Sequence, residues 1–149
     1  MKKNPLLNLS VAALSLLAFL GLAAPQASTQ VLTTLHSLTS GVDGANPVLA
    51  PLTIDAAGNL FGIVPGGGPN AYGLAFELSP ASGGSYTEQI LHTFSGLSGD
   101  GATPYGSLIV DSAGNLYGTT AGGGAQGTGT VFELVKSSGY SETILYSFG

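Results

Sequence analysis

The sequence predicts an all-β protein built from tandem, four-stranded antiparallel repeats. The segment DAAGNLFG at residues 55–62 returns as DSAGNLYG at residues 111–118, 56 positions later. Self-similarity at such a period is typical of repeat architectures. Short runs of Val, Ile, Leu, Tyr and Phe alternate with clusters of Gly, Ser, Asn and Asp, which indicates strands separated by tight turns.

Residues 1–28 are predicted to form a signal helix that directs secretion. Lys2 and Lys3 supply its positive start, and an apolar run from Leu6 to Ala24 ends in small residues. Cleavage after Ala23 or after Ala27 fits this pattern. The alternative is an uncleaved membrane anchor, because the run is near the lower length limit for crossing a bilayer. Either way, we expect the protein to be secreted or held at the cell surface.

Charge and cysteine content exclude several classes of function. The chain has three basic and eight acidic residues, no arginine and no cysteine, and Lys136 is the only basic residue after Lys3. Nucleic acid is therefore a poor partner, since its phosphates are neutralised by clustered Lys or Arg. Disulfides, thiolate metal sites and a thiol nucleophile are impossible.

Residues 29–149 divide into two repeats, at about 34–90 and 91–149, with the start of a third copy at 144–149. The second repeat is predicted to contain strands at about 105–110, 116–120, 130–135 and 140–148. The pattern Asp-x-x-Gly-Asn suits a tight hairpin, because Asp bonds nearby backbone amides while Gly and Asn tolerate positive φ. Four antiparallel strands in such a unit are typical of a β-propeller blade.

The last strand of the unit is predicted three times, near residues 31–38, 86–94 and 140–148, whereas the other strands occur twice. We therefore expect an incomplete propeller, cut from a longer repeat protein, that self-associates through uncovered faces and edges. In the final copy, alternation puts five residues on one face: Tyr140, Glu142, Ile144, Tyr146 and Phe148.

The repeated elements resemble the GloVer repeat of choice-of-anchor tandem-repeat proteins. The resemblance covers about residues 34–149 and rests on elements that recur in fixed order: Asp100-Gly101 with Pro104, Asp111 with the run 114–120, the glycines 122–124 and the run GTVFEL at 129–134. It implies a secreted or surface-attached bacterial protein with many repeats and a variable C-terminal sorting anchor. It implies no enzymatic activity.

Every acidic residue has an equivalent in the other repeat: Asp43 with Asp100, Asp55 with Asp111, Glu77 with Glu133, and Glu88 with Glu142. A catalytic pair needs different environments that separate its two pKa values. Residues copied in both units more plausibly serve turns and strands, so we predict no catalytic residue. His36 and His92 are also equivalent, and Tyr146 takes the same position in the third copy, which favours aromatic packing over a metal or proton-transfer role.

Calcium is the one cofactor alternative. Asp55 with Asn59, and Asp111 with Asn115, offer oxygen ligands beside a turn glycine, as hard cations require. The spacing does not match an EF-hand loop. We therefore favour plain hairpins at both positions.

Residues that differ between the repeats are the best candidates for ligand binding. Tyr72, Tyr105, Asn70 and Gln126 lie in or near the glycine-rich and Asp-Gly-x-x-Pro loops, where rigid β scaffolds display binding residues. Tyrosine among amide side chains suits stacking on a sugar or peptide, so a surface glycan or protein is the expected partner. The predicted function is a noncatalytic structural, adhesive or ligand-binding role. The alternative is an envelope enzyme that acts on glycans.

Overall fold

The computed structural model describes residues 31–39, 41–47, 50–97 and 99–149, and residues 33–149 form a compact unit. The predicted signal helix and its cleavage site lie outside the described residues. Within those residues, no helix has the length and apolar character needed to cross a membrane.

The compact unit contains two antiparallel four-stranded sheets, each with its strands in sequence order. The strands of the first sheet are β1 (Thr53–Ile54), β2 (Leu60–Val64), β3 (Leu74–Pro80) and β4 (Tyr86–Thr93). Those of the second are β5 (Gly101–Val110), β6 (Leu116–Gly123), β7 (Thr130–Val135) and β8 (Ser141–Ser147). The all-β prediction with two four-stranded antiparallel units is confirmed.

The first two strands of each sheet are joined by a short turn whose Asp, Gly and Asn residues favour a tight hairpin. The Asp55 amide bonds the Asn59 carbonyl at 3.1 Å, and the Asp111 amide bonds the Asn115 carbonyl at 3.0 Å, which closes the β1–β2 and β5–β6 hairpins. Gly58 and the equivalent Gly114 have φ of 87° and 84°, a conformation that favours glycine. The β3–β4 and β7–β8 connections each contain one 3₁₀ turn, Ser82–Gly84 and Lys136–Ser138.

Each repeat has two faces, named here by the residues that the pleat directs to them. Face A of the first repeat carries Leu52, Leu60, Phe76, Leu78 and Tyr86, and face A of the second carries the equivalent Leu108, Leu116, Phe132, Leu134 and Tyr140. Face B of the first repeat carries Phe61, Ile63, Ala75 and Leu91. The main core is formed where face A of the second repeat packs on face B of the first. The two repeats therefore share one apolar interior.

Two strand predictions are wrong in detail. Residues 31–38 have no strand assignment, and residues 34–38 instead lie along a groove on face A of the first repeat. A strand needs a neighbour for its backbone groups, and no described segment pairs with this one.

The alternation predicted for residues 140–148 holds only as far as Ile144. Ile144 pairs with Phe132 and Tyr146 pairs with the adjacent Val131, so Leu145 is the extra residue of a β-bulge. The bulge reverses the later side chains, and Tyr146 is 58% exposed. The same irregularity occurs in β4, where Ile90 pairs with Phe76 and His92 with Ala75.

Candidate functional site

The candidate functional site is a cluster of His92, Asp100 and Glu142 where the two repeats meet. His92 lies near the end of β4, Asp100 lies just before β5, and Glu142 lies in β8. His92 Nε2 is 3.2 Å from Asp100 Oδ1 and 3.9 Å from Glu142 Oε2. One ligand atom from each residue lies within 4.8 Å of the others.

Backbone and hydroxyl groups hold the two carboxylates in place. Asp100 Oδ2 accepts a hydrogen bond from the Ser95 amide at 2.6 Å and another from the Ser95 hydroxyl. Glu142 Oε2 accepts one from the Gly101 amide at 3.2 Å. The Glu142 side chain is only 5% exposed, and its Oε1 is buried without a hydrogen-bond partner. The cluster is thus tightly positioned but leaves one buried oxygen unsatisfied.

The pKa values of the two carboxyl groups are shifted in opposite directions. Burial raises the pKa of Glu142, and the neighbouring Asp100 raises it further, to about 8. Burial also disfavours charge on Asp100, but hydrogen bonds with Glu142, Ser95 and His92 outweigh it and lower the pKa of Asp100 to about 2. Near neutral pH, and with nothing else bound, Asp100 is ionised and Glu142 carries a proton.

The first repeat contains an equivalent cluster of His36, Asp43 and Glu88. Its ligand atoms also lie within 4.8 Å of one another, and His36 Nε2 is 3.4 Å from Glu88 Oε2. Thr39, the counterpart of Ser95, donates to Asp43 from its amide and its hydroxyl, both at 2.8 Å. Burial raises the pKa of Glu88, and the hydrogen bonds from Thr39 lower that of Asp43. The first repeat therefore brings the same three residue types together, although Thr39 donates to both carboxylate oxygens of Asp43 and the ion pairs within 4 Å among the described residues include none between His36 and Asp43.

Sequence reasoning identified each of these residues as part of a duplicated pair but did not bring the three types together. The aromatic contact expected for His92 is present, because its ring meets Phe94 edge-to-face with centroids 4.7 Å apart. The same ring also contacts two carboxylates, which the aromatic interpretation missed. One available signal was that both histidines of the chain are equivalent in the alignment and are each followed by equivalent Asp and Glu residues.

The proposed calcium residues form the hairpin turns already described. Asp55 Oδ1 accepts the amides of Ala57 and Asn59, both at 2.9 Å, and Oδ2 accepts the Asn59 side-chain amide at 2.9 Å. Asp111 makes the same three contacts and also accepts a bond from the Tyr117 hydroxyl at 3.1 Å. Donors within the turn thus occupy both carboxylate oxygens, as the hairpin interpretation predicts. Calcium binding here stays an untested alternative.

The four predicted ligand-binding residues do not converge on one pocket within the described chain. Asn70 and Tyr72 share the β2–β3 loop, where Asn70 donates to the Phe94 carbonyl at 3.3 Å and the Tyr72 ring lies over Gly96. Gln126 lies in the equivalent β6–β7 loop. Tyr105 lies within β5, on the exposed face of the second sheet rather than in a loop. Tyr72 and Tyr105 are both about half exposed, so each remains accessible to a ligand.

Two copies of one four-stranded unit, each with the same hairpin turn and the same His-Asp-Glu cluster, define a tandem β-repeat protein. The family model described as the Gloeobacter/Verrucomicrobia repeat matches residues 23–149. The chain therefore belongs to the Gloeobacter/Verrucomicrobia (GloVer) repeat family. No curated protein and no solved structure matches it.

Proposed function

We propose that this chain is a noncatalytic, propeller-like repeat module of a secreted or surface-attached protein. Its repeats stack face to face and present loops for binding a surface glycan or protein. The observation that carries the proposal is that face A of one repeat packs on face B of the other, whereas no repeat within the described residues covers the equivalent faces at the two ends.

The packing between the repeats supplies the pattern for further stacking. Phe132, on face A of the second repeat, is fully buried and meets Phe94 of the first with ring centroids 5.2 Å apart. The Thr53 hydroxyl donates to the Leu108 carbonyl, and the Thr103 amide donates to the Tyr72 carbonyl at 2.8 Å, so polar contacts also join the repeats. A third repeat of this kind would find the same set of partners.

The two end faces carry the exposed apolar surface that such stacking requires. Face A of the first repeat contains a groove of about 620 Å³, lined by Leu35, Leu52, Phe76 and Leu78 among others. Face B of the second repeat carries Tyr105 and Ile109, which are 48% and 67% exposed, around a shallow depression of about 210 Å³. We propose that another GloVer repeat packs on each of these two faces, because the interface between the two repeats of this chain also joins a face A to a face B.

The cluster geometry supports a noncatalytic role over the alternative of a glycan-cleaving enzyme. Asp100 and Glu142 do have separated pKa values, which is one feature of a catalytic pair. They are close enough to share a hydrogen bond, however, whereas the carboxyl groups of glycosidases stand about 5 to 9.5 Å apart. The same three residue types also cluster in both repeats, which is expected of a structural feature that every repeat needs.

Self-association of the mature chain tests the stacking proposal. Light scattering on residues 29–149 should show a mass that rises with concentration. Ile109→Lys, which puts a charge on face B, should weaken this association at least about tenfold, since a charge is costly to bury unpaired. Leu97→Lys is the matched control, because Leu97 is 69% exposed in the β4–β5 loop. A monomer at all concentrations, or equal association of both variants, would contradict the proposal.

A further inference from the structure

We infer that His92, Asp100 and Glu142 bind a zinc ion that links the two repeats, and that His36, Asp43 and Glu88 bind a second. Each site takes one imidazole nitrogen and two carboxylate oxygens from three separate segments of the chain. Neither the fold nor the proposed stacking function requires a metal, so this inference stands independently of both.

Three distances between ligand atoms lie within about 0.3 Å of those expected for a tetrahedral zinc site. Zinc bonds to nitrogen and oxygen are about 2.0–2.2 Å long, which places two ligands of one tetrahedral ion about 3.3–3.6 Å apart. His92 Nε2 lies 3.2 Å from Asp100 Oδ1 and 3.9 Å from Glu142 Oε2. His36 Nε2 lies 3.4 Å from Glu88 Oε2. In each set all three ligand atoms lie within 4.8 Å of one another, so binding would require the side chains to close in on the ion.

A buried, unpartnered carboxylate oxygen is the second observation that points to a ligand. The Glu142 side chain is only 5% exposed, and when both carboxylates of the cluster are ionised its Oε1 has no hydrogen-bond donor. In the first repeat, His36 Nε2 and Glu88 Oε1 are also buried without hydrogen bonds. Buried polar atoms are nearly always satisfied in native proteins. A bound cation would satisfy these atoms in both repeats at once.

The surroundings of the cluster resemble the outer shell of a metal site. The Ser95 amide and hydroxyl hold Asp100 Oδ2, which leaves Oδ1 turned towards His92. Within the second repeat, the Gly101 amide holds Glu142 Oε2. Such contacts orient ligands and contribute to metal affinity. In the first repeat, Thr39 orients Asp43 by donating its amide to Oδ2 and its hydroxyl to Oδ1.

The ligand set and its charge select zinc over the common hard cations. Calcium and magnesium prefer six or more oxygen ligands, whereas an imidazole with carboxylates suits zinc. Two ionised carboxylates and a neutral imidazole carry a charge of −2, which a divalent ion balances. Across the described residues, the ion pairs within 4 Å all involve His36 or His92, so no lysine offers this compensation. Three protein ligands leave the fourth position of zinc for water.

Zinc titration of the tag-free mature chain, stripped with a chelator and followed by native mass spectrometry, tests the inference. We expect two zinc ions per chain. Glu142→Gln and Glu88→Gln should each remove one, because the amide keeps the size of the side chain but loses the charged ligand. Glu133→Gln is the matched control: Glu133 accepts a bond from Tyr117 on the neighbouring strand and touches neither cluster, so this variant should keep both ions.

A variant outside the ligand set keeps the test decisive if the buried substitutions impair folding. Ser95→Ala removes the hydroxyl that orients Asp100 and should weaken zinc binding at one site about tenfold to a hundredfold. The inference is overturned if no zinc binds, if Glu142→Gln and Ser95→Ala bind zinc as the wild type does, or if equimolar calcium or magnesium displaces it.

Discussion

The equivalent substitutions Gly62→Ala and Gly118→Ala test whether side chains on face A can shift more easily in the first repeat than in the second. Gly62 and Gly118 are equivalent residues at the middle of β2 and β6, and neither has a positive φ. A Cβ at Gly118 would lie 2.6 Å from Phe132 Cζ and 3.0 Å from Leu108 Cδ2. A Cβ at Gly62 would lie 2.5 Å from Phe76 Cζ and 2.7 Å from Leu52 Cδ2. By distance alone, Gly62→Ala should be the more harmful change.

The packing around the two glycines predicts the opposite, that Gly118→Ala is the more destabilising change. Phe132 and Leu108 are 0% and 2% exposed inside the core between the repeats, so they cannot move aside. Leu52 is 48% exposed and can shift, and Phe76, although only 6% exposed, borders the open groove, which gives its ring room to move. Overpacking a closed core costs about 1–3 kcal/mol, and replacing glycine recovers about 0.4–1 kcal/mol from the unfolded chain. We expect Gly118→Ala to lower the free energy of unfolding by about 1–2 kcal/mol, and Gly62→Ala to change it by less than about 0.5 kcal/mol.

Urea unfolding followed by circular dichroism measures both values, at a concentration low enough to keep the chain monomeric. Comparable m values for the wild type and both variants would show that the unfolding transition is unchanged. The reasoning is refuted if the two substitutions cost the same, or if Gly62→Ala costs more. Either result would mean that face A of the first repeat is packed as tightly as the buried interface.

Three further predictions concern pH, calcium and export. In chelator-treated protein, the free energy of unfolding should fall as pH rises from about 4.5 to about 8, because the pKa of Glu142 is raised from 4.5 to about 8 and the folded state holds a proton that the unfolded state releases. Thermal melts across this range should show a smaller decline in Glu142→Gln than in the wild type, and Glu88, whose pKa is also raised, accounts for the decline that remains. Millimolar calcium should leave the melting temperature unchanged, because donors within each turn already satisfy the Asp55 and Asp111 carboxylates. A melting temperature that rises with calcium in the wild type, but not in the Asp55→Ala, Asp111→Ala double variant, would favour the calcium alternative. Expression in a Gram-negative host with periplasmic recovery should give a product shorter by about 23 to 27 residues on intact-mass analysis, whereas a full-length membrane-bound product would favour the anchor alternative.

Local patterns in the sequence were sufficient to predict the repeat, its strands and its hairpin turns. The Asp-x-x-Gly-Asn turn is predictable because all of its contacts lie within five residues, so the same local chemistry produces it at residues 55–59 and 111–115. The predicted strands of the second repeat overlap all four observed strands, although β5 begins four residues earlier and β6 ends three residues later than predicted. Alternation failed beyond Ile144 because the β-bulge at Leu145 depends on the pairing with β7, which the residues of β8 do not reveal alone.

Only the tertiary structure decided which equivalent residues meet. The alignment paired His36 with His92, and each acidic residue with its copy, but it compares one repeat with another and carries no information on contacts across their junction. His92 meets Asp100 and Glu142 because the end of β4 lies beside the start of β5 and the strand β8 of the next repeat. The sequence by itself determined the unit and its number of copies. Packing between the units brought Glu142 to His92, since the two residues lie about 50 positions apart in the chain and no local pattern records their proximity.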